Sequence, residues 1–312
     1  MNPLSAPSKS PMNLNAVTSV VFFNNANNGD IFFSKEFVRF FAKKLNIKAY
    51  HSHFKCPFLI ADLQIPFIRV DTRPIHTASM HIQNEFLFIN TWLGQDNRKW
   101  CMENGCTLHN NYQMYSNHAQ MLGVSLPKEE WLFIPEIDYG HYEVEDFVLP
   151  TERNVFVSNG PVFSGQTVNW DMTGMIEYQA KKHPSCSFYV TQPIDVGLAN
   201  VFDANHFFDF RGSRSNLNEL SKLASLCDII VGRSSGPYSF AYTKRNLFDP
   251  NKTFICSSNG IDEGHWGGLW DYDIPSKAKQ LWVECHVHKN NDCYGDLLRM
   301  VDDEITLKYG SN

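Results

Sequence analysis

The sequence predicts an α/β protein built as two domains, each around a mainly parallel sheet. Three observations lead there. Short apolar runs alternate with segments of helical periodicity. The alternation restarts in the second half of the chain. At 312 residues the chain exceeds one ordinary core and suits two. Hydrophobic residues make up 43% and charged residues 19%, which is enough apolar side chain to bury a substantial interior.

The elements follow in order. Residues 1–15 are rich in Pro, Ser and Asn and read as a flexible arm. VTSVVFF, residues 17–23, reads as a strand buried on both faces. Residues 24–34 read as an exposed, Asn-rich loop, with Ser34 as N-cap of the next helix. In SKEFVRFFAKKL, Phe37, Val38, Phe41 and Leu45 share one helical face. FLFINTW, residues 86–92, reads as a strand, and LHNNYQMYSNHAQML as a helix. The acidic stretch 140–153, with Pro150 and little periodicity, is the expected linker. The N-terminal domain then runs over 16–145 and the C-terminal one over 146–312.

The second half repeats the rhythm. NVFVSNG is a strand entering a Gly turn, and WDMTGMIEYQAKKHP a helix stopped by Pro184. SFYVTQP and HFFDF read as strands, and NLNELSKLASLCDIIVG as a helix running into a strand. SSGPYSFAYTKRN is a turn and helix, KTFICSSNG and AKQLWVECHVH are strands, and YGDLLRMVDDEITLKY closes the chain as a helix.

Charge and composition exclude several functions. A net charge of -6 argues against nucleic acid as partner, because phosphate backbones need clustered Lys and Arg. Eight Cys without small-domain spacing fit a reducing, cytoplasmic setting. The N-terminus has no secretory apolar core. No window reaches the ~18 apolar residues of a membrane helix, which leaves peripheral membrane contact open.

Two stretches carry the chemistry. In parallel sheets, ligands bind outside the carboxyl ends of strands. Asn28 and Gly29 turn the chain there, and Asp30 follows just before a helix. Its carboxylate suits a general base that deprotonates a substrate hydroxyl, and equally a helix-start residue that satisfies backbone N–H groups. In DIIVGRSSGPYSFA a strand meets Arg233, Ser234, Ser235 and Gly236, and Pro237 opens a helix. A helix N-terminus of that kind seats a diphosphate.

Together these stretches resemble the heptosyltransferase-like glycosyltransferases. NGDIFFSKEFVRFFAKKL resembles their N-terminal Gly-Asp loop and helix. NLNELSKLASLCDIIVGRSSGPYSFAYT resembles the segment leading to their Ser-Gly-Pro turn, and residues 155–170 stand where their first C-domain strand and phosphate-facing loop lie. The resemblance implies two Rossmann-like domains of GT-B type, with a sugar nucleotide in an interdomain cleft. It implies inverting transfer to a glycan or glycoconjugate acceptor, without metal or cofactor. Asp30 would be the base. Ser158, Asn159, Gly160, Arg214, Arg233, Ser234, Ser235, Gly236 and Pro237 would hold the donor, and Asn28 and Gly29 would form the acceptor-side loop. The chain departs from the family at Ser239, where the family carries His, and in the 158–170 loop, which holds Gln166 and no Lys. These departures keep a second reading open, a catalytically inactive relative that binds sugar nucleotide or glycan. A dehydrogenase is disfavoured, because no GxGxxG follows either domain's first strand.

Other constellations read as structural. Asp271 and Asp273 form an Asp-x-Asp that would suit a divalent cation, but the motif is short and falls late in the chain. Cys285, His286, His288 and Cys293 match no common zinc spacing, and they read with His51 and His53 as surface groups on strands.

Overall fold

The computed structural model describes residues 12–310 apart from 54, 93–95, 97, 98, 100–102, 104–114, 128–132, 145, 147, 163–168, 208–215, 234, 235, 259–275 and 286–292. The chain divides into two compact units, Met1–Glu136 and Ile137–Asn312.

The first unit is organised by β1 (Ser19–Phe23), whose five residues are all buried. The β-branched and aromatic side chains suit a pleated interior strand. Their alternation sends Val20 and Phe22 to one face and Val21 and Phe23 to the other. α1 (Asn28–Phe33) and α2 (Lys35–Leu45) follow. Phe37, Val38 and Phe41 of α2 join the Val20–Phe22 face. Asn46 ends α2 in the left-handed region, at φ 51°. The strands β2 (Lys48–His51), β3 (Met80–Gln83) and β4 (Phe86–Asn90) complete a sheet of order β2-β1-β4-β3. β1 is parallel to β2 and β4, whereas β3 runs antiparallel to β4. α3 (Ser116–Leu122) packs Ala119 and Leu122 onto the same core.

Two sequence readings change here. Residues 28–33 are helical rather than a loop, and Ser34 is the joint between α1 and α2. Its Oγ donates to the Ile31 carbonyl at 2.8 Å instead of capping α2. The first residue of α2, Lys35, lies 2.5 Å from Asp62 with both side chains fully buried, which ties the helix to the 3-10 turn Pro57–Leu63.

The second unit holds a six-stranded, fully parallel sheet. β5 (Asn154–Ser158), β6 (Ser187–Val190), β7 (Val201–Asp203), β8 (Ile229–Arg233), β9 (Thr253–Ser258) and β10 (Lys279–Glu284) lie in the order β10-β9-β8-β5-β6-β7. α4 (Thr173–Lys182) and α8 (Cys293–Tyr309) bring Met175, Ile176, Leu297, Val301 and Ile305 against Val155, Val157 and Val231. α5 (Leu217–Ser225) precedes β8. α6 (Gly236–Phe240) and α7 (Lys244–Leu247) follow it, and the Tyr242 ring stacks on Phe254 at 4.7 Å. HFFDF is not a strand over its first two residues, because a 3-10 turn, Ala204–Phe207, takes them up directly after β7. Within the stretch 137–153, the Tyr139 hydroxyl lies 3.1 Å from Ser221 Oγ, and Lys222 pairs with Asp146 at 2.6 Å.

Gly232 sets how closely β5, β8 and α6 approach. A Cβ there would stand 2.8 Å from both Ser158 Cβ and Tyr238 Cδ2. Gly232→Ala is expected to lower the unfolding free energy by about 1–3 kcal/mol. Urea unfolding measures it, and an unchanged midpoint would show that the contact has slack.

Candidate functional site

Strand order reverses beside the first strand of each unit. In the first, β2 lies on one side of β1 and β4 on the other. In the second, β6 flanks β5 on one side and β8 on the other. Such reversals open a crevice at the carboxyl ends of the strands, where α/β sheets bind ligands. The segments after β1, β5 and β8 are those the sequence singled out.

At the end of β1, Asn24 is buried. Its Oδ1 accepts from the Ala26 N–H at 2.9 Å, and its Nδ2 is buried with no partner among the described residues. Asn27 precedes α1, so Asn28, Gly29 and Asp30 form the first helical turn. Open space surrounds Gly29. Asp30 is half-buried, and its Oδ2 accepts from the Asn27 N–H at 3.0 Å. Burial raises the Asp30 pKa, while backbone hydrogen bonds and Lys55 oppose the rise. The carboxyl therefore does the work of a helix-start residue and also holds a proton more tightly than a free Asp.

The surroundings were not legible in the sequence. His51 and His53 are not surface groups: they are 3% and 0% exposed, with rings 5.5 Å apart. Burial lowers their pKa values to about 4 and about 3. His118 is also fully buried, and its Nε2 bonds the Asn90 carbonyl at 2.8 Å, so its Nε2 carries the proton. Burial lowers its pKa to about 4. Beside the β1 end lies a pocket of about 540 Å³, lined by Asn24, Asn25, Lys55, Arg69, Val70, Asp71 and Arg73. Asp71 takes Arg73 in a two-pronged pair, with Nη2 at 2.7 Å and Nε at 2.8 Å. The pocket thus keeps two further cations, Lys55 and Arg69.

In the second unit Ser158 ends β5 and is buried. Asn159 spans to the segment after β6, accepting from the Gln192 N–H at 2.8 Å and donating to the Gln192 carbonyl at 2.9 Å. Arg233, expected as a cation facing the donor, turns inward. It is 3% exposed, and its Nη1 donates to the carbonyls of Asn159 at 2.9 Å and Gly160 at 2.8 Å. Its Nη2 donates to the Trp170 carbonyl. The sequence marks a charge at that position but not its direction. Gly236 opens α6 at φ +51°, with nothing within reach of a Cβ. Pro237 and Ser239 lie in α6. Arg211, Arg214, Ser234, Ser235, Asp271, Asp273, His286 and His288 lie outside the described residues.

Two sheets of mainly parallel strands, each reversing beside its first strand, define the GT-B class of α/β fold. Solved structures share it. The E. coli heptosyltransferase WaaC with ADP matches with a TM-score of 0.51 at 10% identity, over 94% of this chain and 99% of that one. The dodecameric iron-containing heptosyltransferase TibC, in complex with ADP-D-beta-D-heptose, matches with a TM-score of 0.51 at 11% identity, over 95% of this chain and 78% of that one. No family model and no curated protein matches the chain. At such identities the likeness is one of fold, and it is the fold class the sequence predicts. Among the described residues no helix is long and apolar enough to cross a membrane.

The buried histidines give a pH prediction. Their pKa values lie below the unfolded value near 6.5, so the unfolded chain takes up protons first as pH falls. Each histidine then removes about 1.4 kcal/mol of stability per pH unit from 6.5 down to its own pKa. Asp30 and Glu36, raised by burial, act in the opposite sense. A comparison with His53→Gln isolates the histidine. The variant's urea midpoint should fall less steeply than wild type between pH 6.5 and 5, and parallel curves would refute the assignment.

Proposed function

We propose that the protein is a glycosyltransferase that moves a sugar from a nucleotide-sugar donor to an acceptor hydroxyl, with inversion and without a metal ion. The observation that carries this reading is the coincidence of the two sequence-selected segments with the two strand-order reversals. In this scheme the second unit holds the donor diphosphate at Ser158–Gly160 and at the start of α6. Backbone N–H groups there meet the charge that grows on the leaving diphosphate, and so stabilise the transition state more than the ground state. The first unit holds the acceptor. Asp30 takes the proton as the hydroxyl attacks the anomeric carbon, and its raised pKa favours that transfer. Lys55 and Arg69 make the neighbouring pocket suited to an acceptor that carries a phosphate or carboxylate.

A second reading is a catalytically inactive relative that binds sugar nucleotide or glycan. It is favoured by the bond from the Asn27 N–H to Asp30, which gives this carboxylate a structural task, and by Ser239 in place of the family's His.

A thermal-shift screen of UDP, GDP, ADP and CMP sugars tests the donor class. Stabilisation follows RT ln(1 + [L]/Kd), about 2.7 kcal/mol at a hundredfold excess over Kd. The matching nucleotide should raise Tm, and Gly236→Val, which adds a branched side chain and strains the backbone at φ +51°, should abolish the rise. A flat screen would remove the sugar-nucleotide reading.

Asp30→Asn separates the two readings. The amide keeps an acceptor for the Asn27 N–H, so Tm should shift little. It cannot take a proton, so kcat should fall by ~10²–10⁴ with donor affinity unchanged. Near-normal turnover would return Asp30 to a purely structural role.

A further inference from the structure

The segment after β5 leaves the sheet at Ser158 and reaches α4 at Thr173, and two side chains fasten its base. Asn169 Oδ1 accepts from the Val162 N–H at 2.7 Å, and its Nδ2 donates to the Val162 carbonyl at 2.8 Å. Arg233 does the rest. One guanidinium joins the segment's first residues, through the Asn159 and Gly160 carbonyls, to its last, through the Trp170 carbonyl. The Trp170 ring lies 5.4 Å from the guanidinium carbon, a cation–π distance. Asp171 attracts the buried charge, and its carboxyl is held low by hydrogen bonds from Thr173 first and by Arg233 to a lesser extent.

Peptide geometry gives this clamp a directional consequence. In a trans peptide the C=O and N–H point opposite ways. The Asn159 carbonyl and the Gly160 N–H belong to one peptide, so a carbonyl held on Arg233 turns the Gly160 N–H away from the guanidinium. The Trp170 carbonyl turns the Asp171 N–H in the same manner. Residue 161 is proline and offers no N–H, and the Val162 N–H is taken by Asn169. The Gly160 and Asp171 N–H groups are therefore the ones that the clamp turns away from the guanidinium. The dipoles of these peptides place partial positive charge on the Gly160 and Asp171 N–H groups, at positions the cation itself does not reach.

We propose that Arg233 is a positioning residue for the donor: it never touches the diphosphate but aims the Gly160 and Asp171 N–H groups at it. This rests on the donor site proposed above. It also explains why arginine stands there. Lysine offers one ammonium point, whereas the guanidinium presents a planar fork that binds three carbonyls at once.

The test uses the full chain and the nucleoside diphosphate that stabilises it most. Arg233→Lys keeps the charge but cannot span the three carbonyls. Affinity for that diphosphate should fall at least about tenfold, ~1.4 kcal/mol, while weak binding of the matching nucleoside, read by ligand-observed NMR, stays unchanged. A general loss of structure would lower both. Equal diphosphate affinity in Arg233→Lys and wild type would overturn the inference and leave the functional reading standing. Wild-type protein that binds no nucleoside diphosphate would overturn both. A second measurement needs no variant. With Gly and Asp labelled by ¹⁵N, the amide protons of Gly160 and Asp171 should move downfield when the diphosphate is added, and unmoved amides would also overturn the inference.

Discussion

Burial of β1 and β5 on both faces governs where the other elements of each unit lie. A parallel strand in a sheet interior has no wet side, so other elements must cover both faces. In the first unit α2 meets that demand with Phe37, Val38 and Phe41 on one side, while Ile68, Val70 and Ile75, outside any α-helix, pack on Val21 and Phe23 on the other. In the second, α4 and α8 cover one side of β5. Once both faces are closed, the strand's ends are where its chain can reach solvent, and the reversal of strand order opens a crevice at the carboxyl end, where the candidate groups stand.

The interior also holds charged groups, and the cations Lys35, Lys252 and Arg233 are met by oxygen. Lys35 lies against Asp62. Lys252, 4% exposed, donates to the Ser225 and Cys227 carbonyls at 2.9 and 2.7 Å, where α5 ends and its dipole is negative. Arg233 takes three carbonyls. Desolvating an ion costs several kcal/mol, and these partners offset that only while all remain in place. The buried cations therefore act as geometric constraints: each ties together chain segments that lie apart in sequence.

Much of the fold was legible because its signals are local. Apolar runs such as SVVFF and IIVG are too short and too rich in β-branched residues for helices, and α2, α4, α5 and α8 show their period openly. β2 was missed because KAYH, at a sheet edge, is half polar and resembles a loop. α1 was missed because its first residues, Asn28 and Gly29, are poor helix formers, and Ile31, Phe32 and Phe33 form the helix by burial instead. The site was legible in position and illegible in direction. That Asp30 would bond the Asn27 N–H follows from local spacing, but that Arg233 would point at Trp170 depends on carbonyls that meet only after folding. His51 misled for a related reason, since the segment at Phe67 and Ile68 returns beside β2 and packs on it, and His53 lies against His51 and Thr91.

The reversal of strand order beside β5 also bears on how the chain assembles. β5 emerges early in its unit, but its neighbour β8 is synthesised only after β6, β7 and α5. Until then one edge of an apolar strand has no mate. Non-local pairing of this kind slows folding and leaves an edge open to wrong partners. The crevice that would serve a ligand is thus a seam that stays open until β8 is made, and its earlier-made half, Ser158 to Gly160, waits for Arg233 to arrive and draw it shut.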